Sequence, residues 1–362
     1  MSPKKIRRWG SWVTMRPPRR RRDTTEGRDG EDARKVLRAR GFPQGSSMDF
    51  AEAVAECLRA VPRGRVATCG EVAKALGDPR ATRALATWAA AHPELPALHR
   101  LVFADGRPLH ERALVKLRRE GVQVRSGKVV GEHLMPSIPP TDYLKGLRRE
   151  QRADAERVRE QDDFDTVHVI GGVDVAYRGD EAYAVAVRWD ANAHRVLEFA
   201  EARLRVDFPY IAGYLAYREF PAIRAAMSEL REPPDVLLVD GHGRLHPARF
   251  GFACFAGLRL NLPTVGVAKR ALHGEPRLHI SSTTGAVPLT IAGELSGYAW
   301  TPPQATRPIY VSVGHRISLE SALRLVQRST IGRLPEPLRL ADREARKRRR
   351  EEKWEKVAGL DP

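Results

Sequence analysis

Two aspartates of this chain lie inside or at the end of apolar runs, where an unpaired charge is unfavourable. Asp174 interrupts VIGGVDVAY, and Asp240 ends the apolar part of DVLLVDGHG. An ionised carboxylate in such surroundings is costly unless a metal or another cation neutralises it. Converging carboxylates can hold the hard cation that phosphodiester hydrolysis needs, because that cation activates water and neutralises the leaving oxygen. The two aspartates are therefore candidates for a metal site, although strand-end aspartates also often cap a turn.

Two further residues extend this candidate set. Glu219 lies in IAGYLAYREF, on a predicted helix, and His315 ends the apolar run IYVSVGH. A histidine at that place could orient water or complete the metal site. Its structural alternative is a histidine that is only hydrogen-bonded.

The segments that carry these residues predict an α/β sheet. VHVIGGVDVAY, AYAVAVRW, DVLLVDGHG and TVGVAK are short apolar runs interleaved with helical segments. Runs that are apolar throughout indicate strands covered on both faces. Carboxylates at the C-terminal ends of such strands face the crevice in which open α/β sheets place their sites.

The region before this sheet is predicted to be mainly helical. Apolar residues recur at helical spacing from Asp49 until Pro62-Arg63-Gly64 ends the helix. The segment TCGEVAKALGDPRATRALATWAAAH then reads as a helix-turn-helix, with capping-box spacing before the first helix and an Asp-Pro start for the second. Arg80 and Arg83 fall in the first turns of the second helix, where a recognition helix presents side chains to a groove.

Composition favours a nucleic-acid partner. The chain has 62 Lys and Arg against 45 Asp and Glu, a formal net charge of +17. Such an excess repels itself unless a polyanion is present, and phosphate backbones are the natural partners. Basic segments that aid solubility or bind membranes or ribosomes non-specifically are the alternative.

Cysteine usage and hydropathy predict the compartment. The three cysteines are odd in number, scattered, and form neither a C-x-x-C pair nor a disulfide framework, which fits a reducing cytosol. No apolar run approaches the roughly 20 residues that span a bilayer, and the basic N-terminus lacks the apolar stretch of a secretory signal. We expect a cytoplasmic monomer with no membrane contact, associated with the nucleoid if the source is prokaryotic.

The length favours two domains with tails. We predict a basic disordered tail at 1–46 and a mainly helical domain at 47–133. A proline-marked linker at 134–141 then leads to an α/β domain at 142–335, and a charged, peripheral C-terminal tail follows at 336–362.

The helical domain resembles a known DNA-binding family. PRGRVATCGEVAKALGDPRATRAL followed by LPALHRLV is similar to the DNA-binding domain of O6-alkylguanine-DNA alkyltransferases over roughly residues 48–125. The resemblance implies a winged-helix-like fold whose second helix lies in the minor groove, with Arg83 replacing an extruded nucleotide. His99 and Arg100 match the end of that family's P-C-H-R motif. Leu98 stands where the nucleophilic cysteine belongs, and a leucine cannot attack an alkyl carbon.

This substitution makes the domain more similar to the alkyltransferase-like proteins, which bind O6-alkylguanine without repairing it. Base extrusion costs a few kcal/mol, least at damaged pairs, so the domain would be a lesion sensor using Arg80, Arg83, Leu98 and His99. Cys69 replaces a family tyrosine that helps to rotate the nucleotide, and we expect it to be a small buried residue. Glu120, in RREGV, falls near a family glutamate at the pocket wall.

The α/β domain resembles endonuclease V. GGVDVAY, FPYIAGYLAYRE, LLVDGHGRLHPARFGFA, LPTVGVAK and YVSVGHRISL occur in that family's order over most of residues 142–330. The resemblance implies a ribonuclease-H-like mixed sheet flanked by helices, with Mg²⁺ or Mn²⁺ as the cofactor. It would make Asp174, Glu219 and Asp240 the metal-binding carboxylates and His315 the catalytic histidine. Lys269 would contact the scissile phosphate, since its fixed cation suits a transition state rich in anionic oxygen.

The same resemblance implies how a lesion would be read. Tyr210 would be the wedge that fills the gap left by an extruded base, and the base pocket would comprise Gly213, Leu215, Gly241 and Phe252. The expected reaction is cleavage one nucleotide 3′ of deoxyinosine, leaving 3′-hydroxyl and 5′-phosphate ends without removal of the base.

Three residues depart from that family's usual pattern: Ala212, Phe220 and Arg270. They put strict inosine preference in question more than nuclease activity, because none is a metal ligand. His242 and His246 are interpreted as hydrogen-bonding supports. The alternatives are a non-enzymatic damage-recognition and recruitment protein, against which the intact acidic set argues, and an endoribonuclease for inosine-containing RNA.

Overall fold

The first helix lies where the apolar spacing predicts it, directly after Asp49. The computed structural model describes residues 48–272, the backbone of 275–276, and residues 285–351. Helix α1 (Phe50–Arg59) begins after Asp49, whose carboxylate accepts a hydrogen bond from the Glu52 N–H at 2.7 Å. The predicted basic tail lies outside the described residues.

The predicted helix-turn-helix is confirmed in its local chemistry. Helix α2 (Cys69–Ala75) begins after Thr68, whose side chain accepts from the Glu71 N–H at 3.1 Å. Asp78 caps a 3₁₀ turn over Pro79–Ala81, and helix α3 (Thr82–Ala90), the recognition helix, follows directly.

The remaining elements of this N-terminal domain are short. Strands β1 (Ala67–Thr68) and β2 (Leu101–Val102) pair in parallel. Helix α4 (Ala113–Arg119) precedes a two-stranded antiparallel hairpin of β3 (Val124–Arg125) and β4 (Lys128–Val129). A small hairpin after a helix-turn-helix is typical of a winged-helix domain.

A nine-stranded mixed sheet forms the centre of the C-terminal domain, in the order β10-β11-β12-β13-β9-β8-β5-β6-β7. The central strands β5, β8 and β9 are parallel to one another, and the others pair antiparallel. The bounds are β5 (Val169–Arg178), β6 (Glu181–Asp190), β7 (Arg195–Arg205), β8 (Val236–Asp240), β9 (Thr264–Ala268), β10 (Glu275–Pro276), β11 (Ala286–Ile291), β12 (Glu294–Trp300) and β13 (Ile309–His315).

Helices cover both faces of this sheet, as predicted. Side chains of α6 (Leu215–Ser228) and α7 (Phe252–Leu260) share one buried cluster with one face of the sheet. Side chains of α8 (Leu319–Ser329) and α9 (Glu336–Arg350) share another cluster with the opposite face. Among the described residues, none of the helices combines the length and apolar character needed to cross a membrane.

Helix α9 corrects the predicted C-terminal boundary. The sequence analysis assigned residues from 336 onward to a peripheral charged tail, but Leu338, Ala341 and Ala345 are buried against the sheet. A Cβ placed on Gly172 of β5 would lie 2.3 Å from the carbonyl carbon of Pro337, so strand and helix backbones approach closely there. The basic residues that suggested a tail occupy the helix's outer face.

The two domains share a continuous hydrophobic core. Helix α5 (Tyr143–Ala155) follows the predicted linker, in which Ile138 is buried. The Phe50 ring of α1 lies 5.3 Å from that of Phe208, and Tyr214 belongs to the same buried cluster. The N-terminal domain is therefore packed against the C-terminal domain and is not merely tethered to it.

Candidate active site

The parallel pairing of β5 and β8 brings the two predicted aspartates together. Val173 is in register with Val239, so the next residues along the two strands, Asp174 and Asp240, lie side by side. Asp240 is in turn opposite Val267 of β9, two residues before Lys269. The sequence-based expectation that these residues share one edge of the sheet is met.

Asp342 of α9 is a fourth acidic residue of this site, and the sequence analysis missed it. Its side chain hydrogen-bonds that of Asp174, and it also forms an ion pair with Arg346 at 2.9 Å. The close approach at Gly172 is what brings α9 to this position. Glycines inside a strand are a signal for such an approach, so the GG of VIGGVDVAY was the available clue.

Burial and the neighbouring negative charge both disfavour ionisation of the acidic groups. Burial, followed by the charge of Asp240, raises the pKa of Asp174 to about 8. The same two causes raise the pKa of Glu219, near the start of α6, to about 8. Such shifts mean that the negative charge gathered here is not fully compensated by the surrounding protein cations.

Lys269 supplies a cation beside Asp240. Its Nζ donates a short hydrogen bond to Asp240 Oδ2. Burial lowers the pKa of Lys269, but the attraction of Asp240, Asp174 and Asp342 outweighs it, so the pKa is raised and the amine stays charged.

The donor chemistry of this site fits a hard divalent cation. Carboxylate oxygens are the ligands that Mg²⁺ prefers, and two carboxyl groups with raised pKa values would return to their ionised forms beside such a cation. Within the described ranges, no three acidic, histidine or cysteine side chains form a ready-made metal shell. Asp240 is hydrogen-bonded to Lys269 and Asp174 to Asp342, so a bound cation would compete with these contacts.

His315 does not belong to this site, which corrects the sequence-based assignment. It pairs with Thr264 at the beginning of β9, whereas the carboxylates lie at the other end of that strand. Its Nδ1 accepts from the Arg159 N–H at 3.2 Å. Burial, with the nearby charges of Arg159 and Arg316, lowers its pKa to about 4. The histidine is a buried hydrogen-bonding residue, because β13 runs antiparallel to β9 and carries its C-terminus away from the site.

The residues expected to recognise a base lie around the beginning of α6 and α7. Tyr210 is 66% exposed, in the loop before α6. Gly213 has φ +88 and its carbonyl accepts from Gln151 Nε2 at 2.8 Å. A Cβ on Gly241 would lie 3.4 Å from that of Phe252, so these two predicted pocket residues are neighbours, and Leu215 is the first residue of α6.

The residues around this pocket include those that depart from the family pattern. Ala212 is exposed in the same loop as the tyrosine, whereas Phe220 is buried in the core. His242 is hydrogen-bonded to the Arg270 carbonyl at 3.1 Å, and His246 Nδ1 accepts from the Ala248 N–H at 3.2 Å. Both histidines are hydrogen-bonding supports, as predicted.

A cationic cleft of about 410 Å³ adjoins Lys269. Its lining includes Arg270, Arg307 and Arg333, together with Tyr310. Four cations beside the acidic site make this cleft a candidate for binding phosphates, since phosphate contacts fix the register of a nucleic acid.

The residues of the N-terminal domain that the sequence predicts to sense a lesion form a separate group. Leu98 is 8% exposed within the domain core. Next to it, His99 Nε2 lies 2.9 Å from Glu120 Oε1, and Arg100 Nη2 donates to the same oxygen at 2.8 Å. Cys69 is buried, as predicted, and burial raises its pKa to about 11.

Two family models match separate parts of this chain. The family model described as Endonuclease V matches residues 152–343, and the one described as 6-O-methylguanine DNA methyltransferase, DNA binding domain, matches residues 49–123. An Endonuclease V of Thermofilum pendens is 42% identical over 207 residues, covering 56% of this chain and 88% of that protein.

Solved structures show the same relationship. The catalytic domain of human Endonuclease V has a TM-score of 0.54 and 32% identity, covering 59% of this chain and 98% of that one. Endonuclease V of Ciona intestinalis, solved in complex with a 24mer DNA containing an inosine followed by a ribo-adenosine, has a TM-score of 0.52 and 28% identity. It covers 57% of this chain and 97% of that one.

Proposed function

We propose that this chain, which belongs to the endonuclease V family and is a DNA endonuclease, hydrolyses the phosphodiester bond one nucleotide 3′ of deoxyinosine in DNA. The observation that carries the proposal is the convergence of Asp174, Asp240 and Asp342 beside Lys269. The inosine-containing DNA in the Ciona complex supports the choice of substrate.

Mg²⁺, for which Mn²⁺ would substitute, is the proposed cofactor. Asp174 and Asp240 would hold it, with Glu219 and Asp342 completing the acidic site. When bound, the metal activates water and stabilises the leaving oxygen.

The chain's own residues would position the strand and balance its charge. Lys269 would exchange its contact with Asp240 for the scissile phosphate, where a fixed cation stabilises the developing negative charge. Tyr210 is sufficiently exposed to stack in the gap left by an extruded base. The base would then enter the pocket that Gly241 and Phe252 line together with Gly213 and Leu215.

The N-terminal domain is proposed as a non-catalytic sensor of O6-alkylguanine. Leu98 cannot accept an alkyl group, and Arg83 is exposed on the recognition helix. A domain of this kind would broaden the set of lesions on which the endonuclease is retained.

The test is nicking by the full-length protein of end-labelled duplexes carrying one deoxyinosine, one O6-methylguanine or no lesion, with Mg²⁺ and with Mn²⁺. Asp240→Asn is the inactive control, because the amide keeps the side-chain shape but removes the charge. We expect one nick on the inosine duplex, one nucleotide 3′ of the lesion, and none from the control.

Other outcomes would replace the proposal. Cleavage of an inosine-containing RNA in preference to the DNA would make the protein an endoribonuclease. Binding to damaged DNA without a nick under either metal would favour a recruitment function.

A further inference from the structure

A cleft of about 570 Å³ lies between the two domains. One wall comes from the recognition helix α3 and the turn before it, and the other from the loop over residues 209–212, here called the wedge loop, with the start of α6. Neither domain model accounts for a site of this kind, because each covers only one of the two walls.

The cleft is held open by a buried ionic centre. Asp78, 2% exposed, accepts hydrogen bonds from Arg80, from Arg148 Nη2 of α5 at 2.6 Å and from the Tyr214 hydroxyl at 3.0 Å. These partners come from both domains, and they lie beside the shared hydrophobic core. The recognition helix therefore has a fixed position relative to the wedge loop.

The charges of the cleft suit a nucleic-acid backbone. Arg80, Arg83 and Arg218 line it, against one acidic residue, Asp180, at the turn between β5 and β6. Among the described residues Arg83 makes no hydrogen bond or ion pair, so its guanidinium is available to a ligand. Tyr210, exposed on the opposite wall, offers a ring on which a base can stack.

The cleft and the acidic site both take a residue from the first turns of α6. Arg218, which lines the cleft, directly precedes Glu219, and its guanidinium lies 4.4 Å from the Tyr177 ring centre. Burial, followed by the charge of Glu219, raises the pKa of the Tyr177 hydroxyl. Helix α6 therefore carries residues of both the cleft lining and the acidic site.

From this arrangement we propose that the interdomain cleft binds an unpaired segment of DNA, with Arg83 contacting a phosphate and Tyr210 stacking on a base. The volume suits one or two nucleotides. Both domains thus hold the same strand at one lesion. The inference deepens the proposed function and rests on it for the identity of the DNA.

The first test is metal-free binding, so that no nick occurs, of the full-length protein to a short labelled duplex with a small central unpaired bubble. We expect Arg83→Ala to weaken binding about fivefold and to reduce the slope of log K against log salt by about 0.7, the value for one phosphate contact on a single strand. Arg118→Ala is the matched control, since Arg118 is an exposed arginine of the same domain outside the cleft. It should change affinity less than about twofold.

A double-mutant cycle decides whether both walls contact the same segment. If they do, Arg83→Ala and Tyr210→Ala together should differ from the product of their separate effects by at least about threefold. Additive effects, or an Arg83→Ala effect seen only on longer duplexes, would mean that the domains bind separate stretches and would overturn the inference. Because binding is measured without metal, the proposed cleft contacts can be refuted while inosine nicking succeeds. They can equally be supported while nicking fails.

Discussion

The close approach of α9 to the central strand allows a quantitative test through Gly172→Ala. A Cβ at this position would lie 2.3 Å from the Pro337 carbonyl carbon and 2.4 Å from its oxygen. Overpacking of this kind typically costs 1–3 kcal/mol, and we take about 3 kcal/mol because the obstructing atoms belong to a backbone. Replacing a strand glycine by alanine returns about 0.5–1 kcal/mol of backbone entropy.

The net expectation is a loss of about 2 kcal/mol in the free energy of unfolding. For a domain of this size that corresponds to a fall in Tm of roughly 4–8 °C. The substitution should also lower kcat when nicking is measured well below Tm, because the clash moves α9 and with it Asp342 away from Asp174. Gly332→Ala is the matched control: it lies in the same domain, and a Cβ there meets nothing within 4 Å.

Thermal unfolding and single-turnover nicking of the two variants check this reasoning. An unchanged Tm for Gly172→Ala would refute the close approach of the two backbones. A lowered Tm with unchanged kcat would keep the approach but refute the role of α9 in positioning the acidic site.

Three further expectations concern other parts of the chain. Asp342→Asn should lower kcat about 10- to 100-fold in the same nicking assay. His315→Asn keeps a hydrogen-bond acceptor and should leave kcat nearly unchanged. The opposite pattern would mean that the histidine belongs to the active site. The pKa of Glu120 is lowered to about 2, chiefly by hydrogen bonds from Arg100. The ionised carboxylate therefore stabilises the folded state fully above about pH 4.5, and this contribution is lost as pH falls towards 2. Urea unfolding should therefore find Glu120→Gln less stable by about 2 kcal/mol at pH 7, with the difference shrinking on acidification; a gap independent of pH would contradict this ion pair. Gly77→Ala should lower Tm more than Gly121→Ala. Both glycines have positive φ, but only at Gly77 would a Cβ meet the other domain, 2.7 Å from the Cβ of Lys145 in α5. Equal shifts in Tm would argue against that contact.

Local chemistry explains why much of this fold could be predicted from sequence. Capping at Thr68 and Asp78 depends on residues two or three positions away, so the helix-turn-helix was readable directly. The apolar strands were recognisable for a similar reason, since burial on both faces leaves few polar positions. Asp174 and Asp240 stood out because a charge in such a strand needs an explanation.

The errors have a different cause, which is strand direction and long-range packing. His315 ends an apolar strand just as Asp240 does, and only the antiparallel orientation of β13 shows that it lies at the opposite edge. Asp342 was hidden by the charge around it, although Leu338, Ala341 and Ala345 recur at helical spacing and are buried. Three apolar residues at helical spacing within a charged segment, together with a glycine in a central strand, were the available signs that this helix packs on the sheet.

The shared core changes what the fusion of two domains can achieve. A flexible tether would raise the local concentration of the nuclease while leaving its orientation free. Here Asp78, Arg148 and Tyr214 link the domains in one buried network, so the recognition helix and the wedge loop cannot turn independently without exposing charged and apolar groups. Transfer of a lesion from one pocket to the other would then require the DNA to move and not the protein. The arrangement favours two domains that contact neighbouring parts of one distorted DNA site at the same time, with the orientational entropy already lost on folding.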